Sequence, residues 1–184
     1  MSTGLRTLVL NANYMPISVF PLHSIPAEDA VTRIVGETCY VVAEYDRMIK
    51  TPTLEMRWPS IIARNTGMKI KETVTLRKES LYYRDHGLCA YCERPITLSE
   101  LTYDHVRPKV RGGTLTWDNT VSSCGSCNQR KGSQTASGIW KPKVKVYVPT
   151  YWELLAERKK FPISVPDKAW VDYLGDWHAP INIQ

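Results

Sequence analysis

"TYDHVRPKVRGGTLTWDNTVSSCGSCNQRK", residues 102–131, sets two short alternating runs around a loop and closes on a CxxC turn. Leu101 and Tyr103 alternate with Thr102 and Asp104, the period of a strand with one buried face. Pro108 and the Gly112-Gly113 pair then punctuate a loop. "TVSS" returns as a second strand, and "CNQRKGSQ" opens a helix on the second CxxC turn with Asn128 in its first turn. Strand, loop, strand and helix make a ββα unit.

Upstream stands a second CxxC pair, so Cys89, Cys92, Cys124 and Cys127 form two turns whose thiolates can converge on one ion. Four sulphur ligands suit tetrahedral zinc and leave no coordination position for water, which makes the expected Zn²⁺ structural. Such an ion contributes on the order of 10 kcal/mol to folding a small element with little core of its own. The fifth cysteine, Cys39 in "ETCYVVA", reads as a small buried apolar residue. No secretory leader precedes these cysteines, since Asn11, Asn13 and Pro16 interrupt the first apolar stretch, so metal binding is favoured over disulfides.

Lys and Arg outnumber Asp and Glu by 24 to 18, a net charge of +6 over 184 residues. The excess is concentrated. Arg107, Lys109, Arg111, Arg130, Lys131, Lys141, Lys143 and Lys145 face only Asp118 between Val106 and Lys145. A nucleic acid is the natural partner of such a segment, and a solvated basic face is the competing reading. No apolar run approaches the roughly 18 residues of a membrane span. The expectation is a cytoplasmic protein, monomer or homodimer, with no membrane contact.

The flanking segments carry scaffold signals. "TLVLNANYMPISVF" reads as two short strands about a turn, and "SIPAEDAVTRIVG" as a helix with Pro26 near its start and Gly36 after its end. "TCYVVAEY" is a further strand, while "TPTLEMRWPSIIARN" reads as extended and broken by Pro52 and Pro59. "KESLYYRDHG" makes a short helix before the first CxxC, and a helix is expected near Tyr151–Lys159. In the Pro- and Trp-rich tail, Trp140, Trp152, Trp170 and Trp177 are expected to anchor chain onto core, with base stacking the competing role. The fold class expected is α+β: a small α/β unit at 1–75, the zinc-stapled unit at 76–140, and a wrapping tail at 141–184.

Taken with its cysteine frame, "CAYC…TYDHVRPKVRGGTLTWDNTVSSCGSCNQRK" resembles the HNH endonuclease superfamily, in its four-cysteine zinc branch. The Asp104-His105 dipeptide, the paired glycines, Asn119 and Asn128 all carry the resemblance, which is strong over residues 79–135. "VLNANYMPISVF" and the helix after it also look like the leader region of bacterial and phage HNH proteins. The resemblance implies a ββα-metal core. In it, His105 is a general base, and Asp104 and Asn128 hold a divalent cation, Mg²⁺ or Mn²⁺. It also implies that Asn119 braces the loop behind His105. Arg107, Lys109, Arg111, Arg130 and Lys131 would meet DNA phosphates. The implied products are a 5′-phosphate and a 3′-hydroxyl. The motif ends on Asn128 and not on histidine, which looks like a variant of the family pattern; an amide is the weaker metal ligand, so Mg²⁺ is expected to be tolerated over softer ions.

One geometric condition attaches to that reading. Successive side chains on a regular strand take opposite faces, so Asp104 and His105 share a site only if the backbone turns there. The rival from another class is a zinc knuckle that binds nucleic acid, or serves phage DNA packaging, without cutting. It accounts for the cysteines and the basic loop but gives Asp104, His105 and Asn128 no reason to coincide.

Overall fold

A computed structural model describes residues 4–69 and 72–184, which divide into two units. The first comprises the chain up to residue 70 together with 159–184; the second is Lys71–Arg158.

The first unit is built on a four-stranded sheet. Its strands β1 (Arg6–Leu10), β2 (Ser24–Pro26), β3 (Cys39–Lys50) and β4 (Glu55–Arg64) lie in the order β2-β1-β4-β3. Helix α1 (Ala27–Val35) follows β2, with Glu28 and Asp29 in its first turn and favourable to its N-terminal dipole. Alternation sorts the sheet's residues onto two faces. Val9 and Ile62 pack with Ile25, Ala30 and Cys39, while Leu8, Leu10, Ile61 and Ala63 join a second cluster. Burying each such leucine or isoleucine contributes about 2 kcal/mol.

Two expectations change here. Residues 13–22 make only isolated bridges, Leu10 with Pro16 and Val19 with Leu22, so β1 has no second strand after its turn. Pro16 and Pro21 leave too few consecutive backbone donors for a ladder. Pro59 does not break its segment but lies inside β4 opposite Glu44, where the register shifts. An irregular position is where a strand tolerates a residue without an N–H.

The second unit begins with helix α2 (Lys78–Arg84) and passes through the first CxxC turn to β5 (Leu101–His105). After the loop come β6 (Thr120–Cys124), helix α3 (Gly125–Lys131) and, further on, helix α4 (Tyr151–Arg158). Strands β5 and β6 are antiparallel in unbroken register from Leu101 opposite Cys124 to His105 opposite Thr120. The core of the unit gathers Leu81, Ala90, Tyr91, Ile96, Leu101, Trp117 and Val121 about three of the cysteines. Arg84 and Asp85 are adjacent and fully buried. Arg84 donates to the carbonyls of Trp117 (2.7 Å) and Thr120 (2.8 Å), while Asp85 accepts from the Ser122 amide (2.7 Å). The pair thereby pins α2 to the start of β6.

The C-terminal segment serves both units in turn. Residues up to Arg158 pack in the second; the remainder returns to the first with β7 (Ile163–Val165) and β8 (Ile181–Ile183), a parallel pair. Trp170 is buried against Leu8, Leu10 and Ile61, and its indole N–H donates to the Ser60 carbonyl at 3.0 Å. Trp140 and Trp177 also pack against core clusters, whereas Trp152 is half exposed. No helix among the described residues is long and apolar enough to cross a membrane.

Candidate active site and metal centre

The sulphurs of Cys89, Cys92, Cys124 and Cys127 all lie within 4.8 Å of one another. Four ligands held about 2.3 Å from one zinc ion stand roughly 3.8 Å apart in a tetrahedron, so the cluster has the right size. Its thiols already behave as a group. Burial resists ionisation at Cys124, but hydrogen bonds from Ser126, the Cys127 backbone and neighbouring thiols prevail and bring the thiol down to about 6. At Cys127 burial and the Cys124 sulphur push the thiol up to about 12. Against its burial, backbone hydrogen bonds lower Cys89 as well. Cys39 lies elsewhere, buried in the first unit.

Helix α3 grows out of this cluster. Its first turn contains Cys127, and the residues that follow reach back to β5. The Asn128 amide nitrogen donates to Thr102 Oγ1 at 3.0 Å and to the Tyr103 carbonyl at 3.1 Å. That commits the nitrogen and leaves Oδ1 without a hydrogen-bond partner. Thr102 and Asp104 alternate onto the same face of the strand, so Asn128 lies on the face that carries the Asp104 carboxylate.

Asp104 is buried, and its two oxygens are already engaged. Lys131 Nζ lies 3.2 Å from Oδ1 and 2.9 Å from Oδ2, and the Tyr91 hydroxyl donates a short hydrogen bond to Oδ2. The same ammonium donates to the His105 carbonyl at 2.8 Å and stands 5.9 Å from the centre of the Tyr91 ring. Lys131, expected at a phosphate on the surface, is thus buried and spent on internal partners. It donates to Asp104 Oδ1 and to the His105 carbonyl, both inside the protein.

His105 ends β5. The strand stays regular through it, so no backbone turn brings its ring to the face of Asp104. Burial, and then the charge of Lys109, lower the imidazole below its ordinary value of 6.5; Asp104 raises it and Lys131 lowers it further. The ring is therefore neutral at pH 7. Its Nε2 is buried with no hydrogen-bond partner.

Asn119 is committed on every side to the loop. Its Oδ1 accepts from the Arg107 amide at 2.7 Å, and its Nδ2 donates to the carbonyls of Arg107 (3.2 Å) and Thr114 (2.8 Å). Gly113 lies so close that a Cβ there would meet the Arg107 oxygen at 1.8 Å. Around this loop Arg107, Lys109 and Arg111 are exposed, as is Arg130 on α3. Arg111 donates to Thr135 Oγ1 at 3.0 Å and Arg130 to Cys127 Sγ at 3.7 Å.

Two groups have no counterpart in the sequence reading. Tyr91, inside the first CxxC turn, completes the shell of Asp104. Arg84 holds the carbonyl of Thr120, the residue facing His105. An aromatic between two cysteines and an Arg-Asp dipeptide are ordinary local sequence, and only the tertiary contacts give them meaning.

The chemistry of the donors can be set against a hard divalent cation. Asp104 and Asn128 Oδ1 offer oxygen donors, the type such an ion takes. The carboxylate already faces one cation, however, so a metal ion there shares it with, or displaces, the Lys131 ammonium.

Two family models match the chain. One, HNH endonuclease, matches residues 89–134; the other, the N-terminal domain associated with HNH endonucleases, matches residues 7–71. Over 64 residues the chain is 41% identical to the CRISPR-associated endonuclease Cas9 of Corynebacterium diphtheriae, covering 34% of this chain and 6% of that protein.

Proposed function

This chain carries an HNH endonuclease domain behind an HNH-associated N-terminal domain, and from that premise we propose that it is a metal-dependent endonuclease that hydrolyses DNA phosphodiester bonds. The observation that carries the proposal is the reach of helix α3. It closes the cysteine cluster with Cys127, then contacts β5 at Tyr103 through Asn128 and at Asp104 and His105 through Lys131.

In this reading the neutral His105 ring accepts the proton of an attacking water, which adds in line to the scissile phosphorus. Asp104 and Asn128 would hold a Mg²⁺ or Mn²⁺ ion. When bound, that ion supplies charge neutralisation at the phosphate and at the departing 3′ oxygen. Asn119 and Gly113 keep the loop closed behind His105. Arg107, Lys109, Arg111 and Arg130 hold the flanking phosphates, contacts that orient a strand without reading its sequence. The products are a 5′-phosphate and a 3′-hydroxyl. The zinc frame takes no part in the reaction and serves to fix α3 against β5.

Two observations favour the non-catalytic alternative, a zinc-stapled nucleic-acid-binding module: the regular strand leaves the His105 ring off the face of Asp104, and the Asp104 carboxylate is engaged by Lys131 and Tyr91. Supercoiled plasmid incubated with the zinc-loaded protein and Mg²⁺ or Mn²⁺ decides between them. Nicked or linear product whose ends religate without repair, lost by a factor of about a hundred or more in His105→Ala, is the expected outcome. Intact plasmid leaves the binding module as the function, and equal cutting by the variant overturns His105 as the general base.

A further inference from the structure

His105 and Thr120 are Cα partners at the end of the β5–β6 ladder. Facing residues of an antiparallel pair direct their side chains to one side of the ribbon. The next pair, Val106 and Asn119, is joined by a hydrogen bond from the Val106 amide to the Asn119 carbonyl at 2.9 Å. Alternation therefore makes His105 and Thr120 a pair of the narrow kind, whose side chains come closer than those of their neighbours. Their carbonyls turn outward and each is held by a buried cation, Lys131 on His105 and Arg84 on Thr120, both at 2.8 Å. The two residues are locked opposite one another.

Each of them also carries a buried polar atom without a partner, Nε2 of His105 and Oγ1 of Thr120. A buried polar group left unpaired costs about 1–3 kcal/mol. The two make no hydrogen bond to each other, and one buried water bonded to both would satisfy the pair. The β-branched threonine has little rotameric freedom, so its hydroxyl is a fixed point. The other ring nitrogen, Nδ1, makes no hydrogen bond and is not among the buried unpaired atoms, which leaves it open to solvent.

We infer that Thr120 is a positioning residue for His105: a single water that accepts the Nε2 proton and donates to the Thr120 hydroxyl holds the ring in the tautomer whose bare Nδ1 faces outward. The catalytic half of this inference rests on the endonuclease reading. The proton taken from the attacking water then goes to Nδ1, the resulting imidazolium keeps its water-bridged Nε2–H bond toward Thr120, and the Nδ1 proton leaves to solvent. A valine at 120 keeps the shape and removes the acceptor; a serine keeps the acceptor.

The test is nitrogen NMR of the histidine rings in the full zinc-loaded chain labelled with ¹⁵N-histidine, at a pH where His105 is neutral. Wild type and Thr120→Ser are expected to show His105 protonated at Nε2. Thr120→Val is expected to show a mixture or the opposite tautomer, with the other three rings unchanged. A wild-type ring protonated at Nδ1, or the same tautomer in wild type and Thr120→Val, overturns the inference. On plasmid, Thr120→Val is expected to lower kcat by roughly tenfold to a hundredfold at constant KM, the scale on which loss of a group orienting an imidazole is felt, with Thr120→Ser close to wild type. A tautomer change without a change in kcat overturns the catalytic half. Absence of cleavage by every variant refutes the nuclease reading and leaves the ring readout, which needs no substrate, to decide the positioning.

Discussion

The Lys131 ammonium lies 2.9 Å from Asp104 Oδ2 with none of the lysine side chain exposed. An ion pair of this kind is costly to create and costly to break. Each charge forfeits its hydration, and the pair holds only because the Tyr91 hydroxyl and the His105 carbonyl take the remaining hydrogen-bonding positions. The ammonium therefore stands in for a metal ion as the neutralising charge beside Asp104.

Removing it separates two roles of the carboxylate. Lys131→Met leaves a buried anion without a counterion and is expected to destabilise the protein by about 3 kcal/mol, read as a lower urea midpoint. If Asp104 is a metal ligand, Mn²⁺ fills the vacancy and raises that midpoint more in the variant than in wild type. An equal rise in both proteins would count against Asp104 as a ligand, whatever the plasmid assay shows.

A zinc ion in the four-cysteine cluster would be a second structural charge. Its apparent binding energy, about 10 kcal/mol or more, is comparable to the whole stability of a domain. Chelation, or Cys124→Ala, is expected to abolish hydrogen-exchange protection in β5, β6 and α3. Protection in β1 and β4 should persist, because Leu8, Val9, Ile61 and Ile62 draw on clusters with no cysteine ligand. Protection of β5 unchanged after chelation would refute a structural ion.

The loop offers a sharper cut between folding and activity. Gly113→Ala sets a Cβ 1.8 Å from the Arg107 oxygen and 2.9 Å from Asn119 Nδ2, both of them fixed by the Asn119 bonds. The loop must open. Three hydrogen bonds at about 1 kcal/mol each are at stake, so Asn119→Ala and Gly113→Ala should each cost roughly 2–3 kcal/mol. Cleavage should fall by at least about tenfold while bound zinc, measured by metal analysis, stays at one ion per chain. A loss of zinc would mean that the loop supports the cluster and not His105.

Local signals explain which of these features are legible in the sequence. Cysteine spacing and period-two alternation act over a few residues, so the zinc cluster, β5, β6 and α3 are readable from residues 89–131 alone. The anchoring of Trp170 is readable too, because a large aromatic in a polar tail has few other uses. What the chain does not announce is tertiary. Nothing near Lys131 marks it as buried, since its partners are 26 and 27 residues away. The same holds for Arg84, whose carbonyl partner Thr120 lies 36 residues on. Pro59 misleads because a strand interior normally excludes it, and only the shifted pairing with Glu44 makes room. The tail reads as one wrapping segment because composition does not reveal that its chain leaves one unit for the other at residue 159.

Burial also divides the basic residues into those that can meet a phosphate and one that cannot. Arg107, Lys109, Arg111 and Arg130 are exposed, and Lys131 is not. On a labelled duplex, log Kd should rise with log salt concentration, and each exposed cation changed to alanine should reduce that slope by about one. Affinity should fall evenly across duplexes of different sequence, since phosphate contacts carry no base information. Lys131→Met should leave the slope untouched even where its stability is reduced, because an ammonium already neutralised by Asp104 displaces no counterion from DNA. Anisotropy titrations over a range of salt concentrations read both numbers. A slope that drops for Lys131→Met as it does for Arg107→Ala would mean that the buried pair opens on DNA and releases its lysine to the backbone.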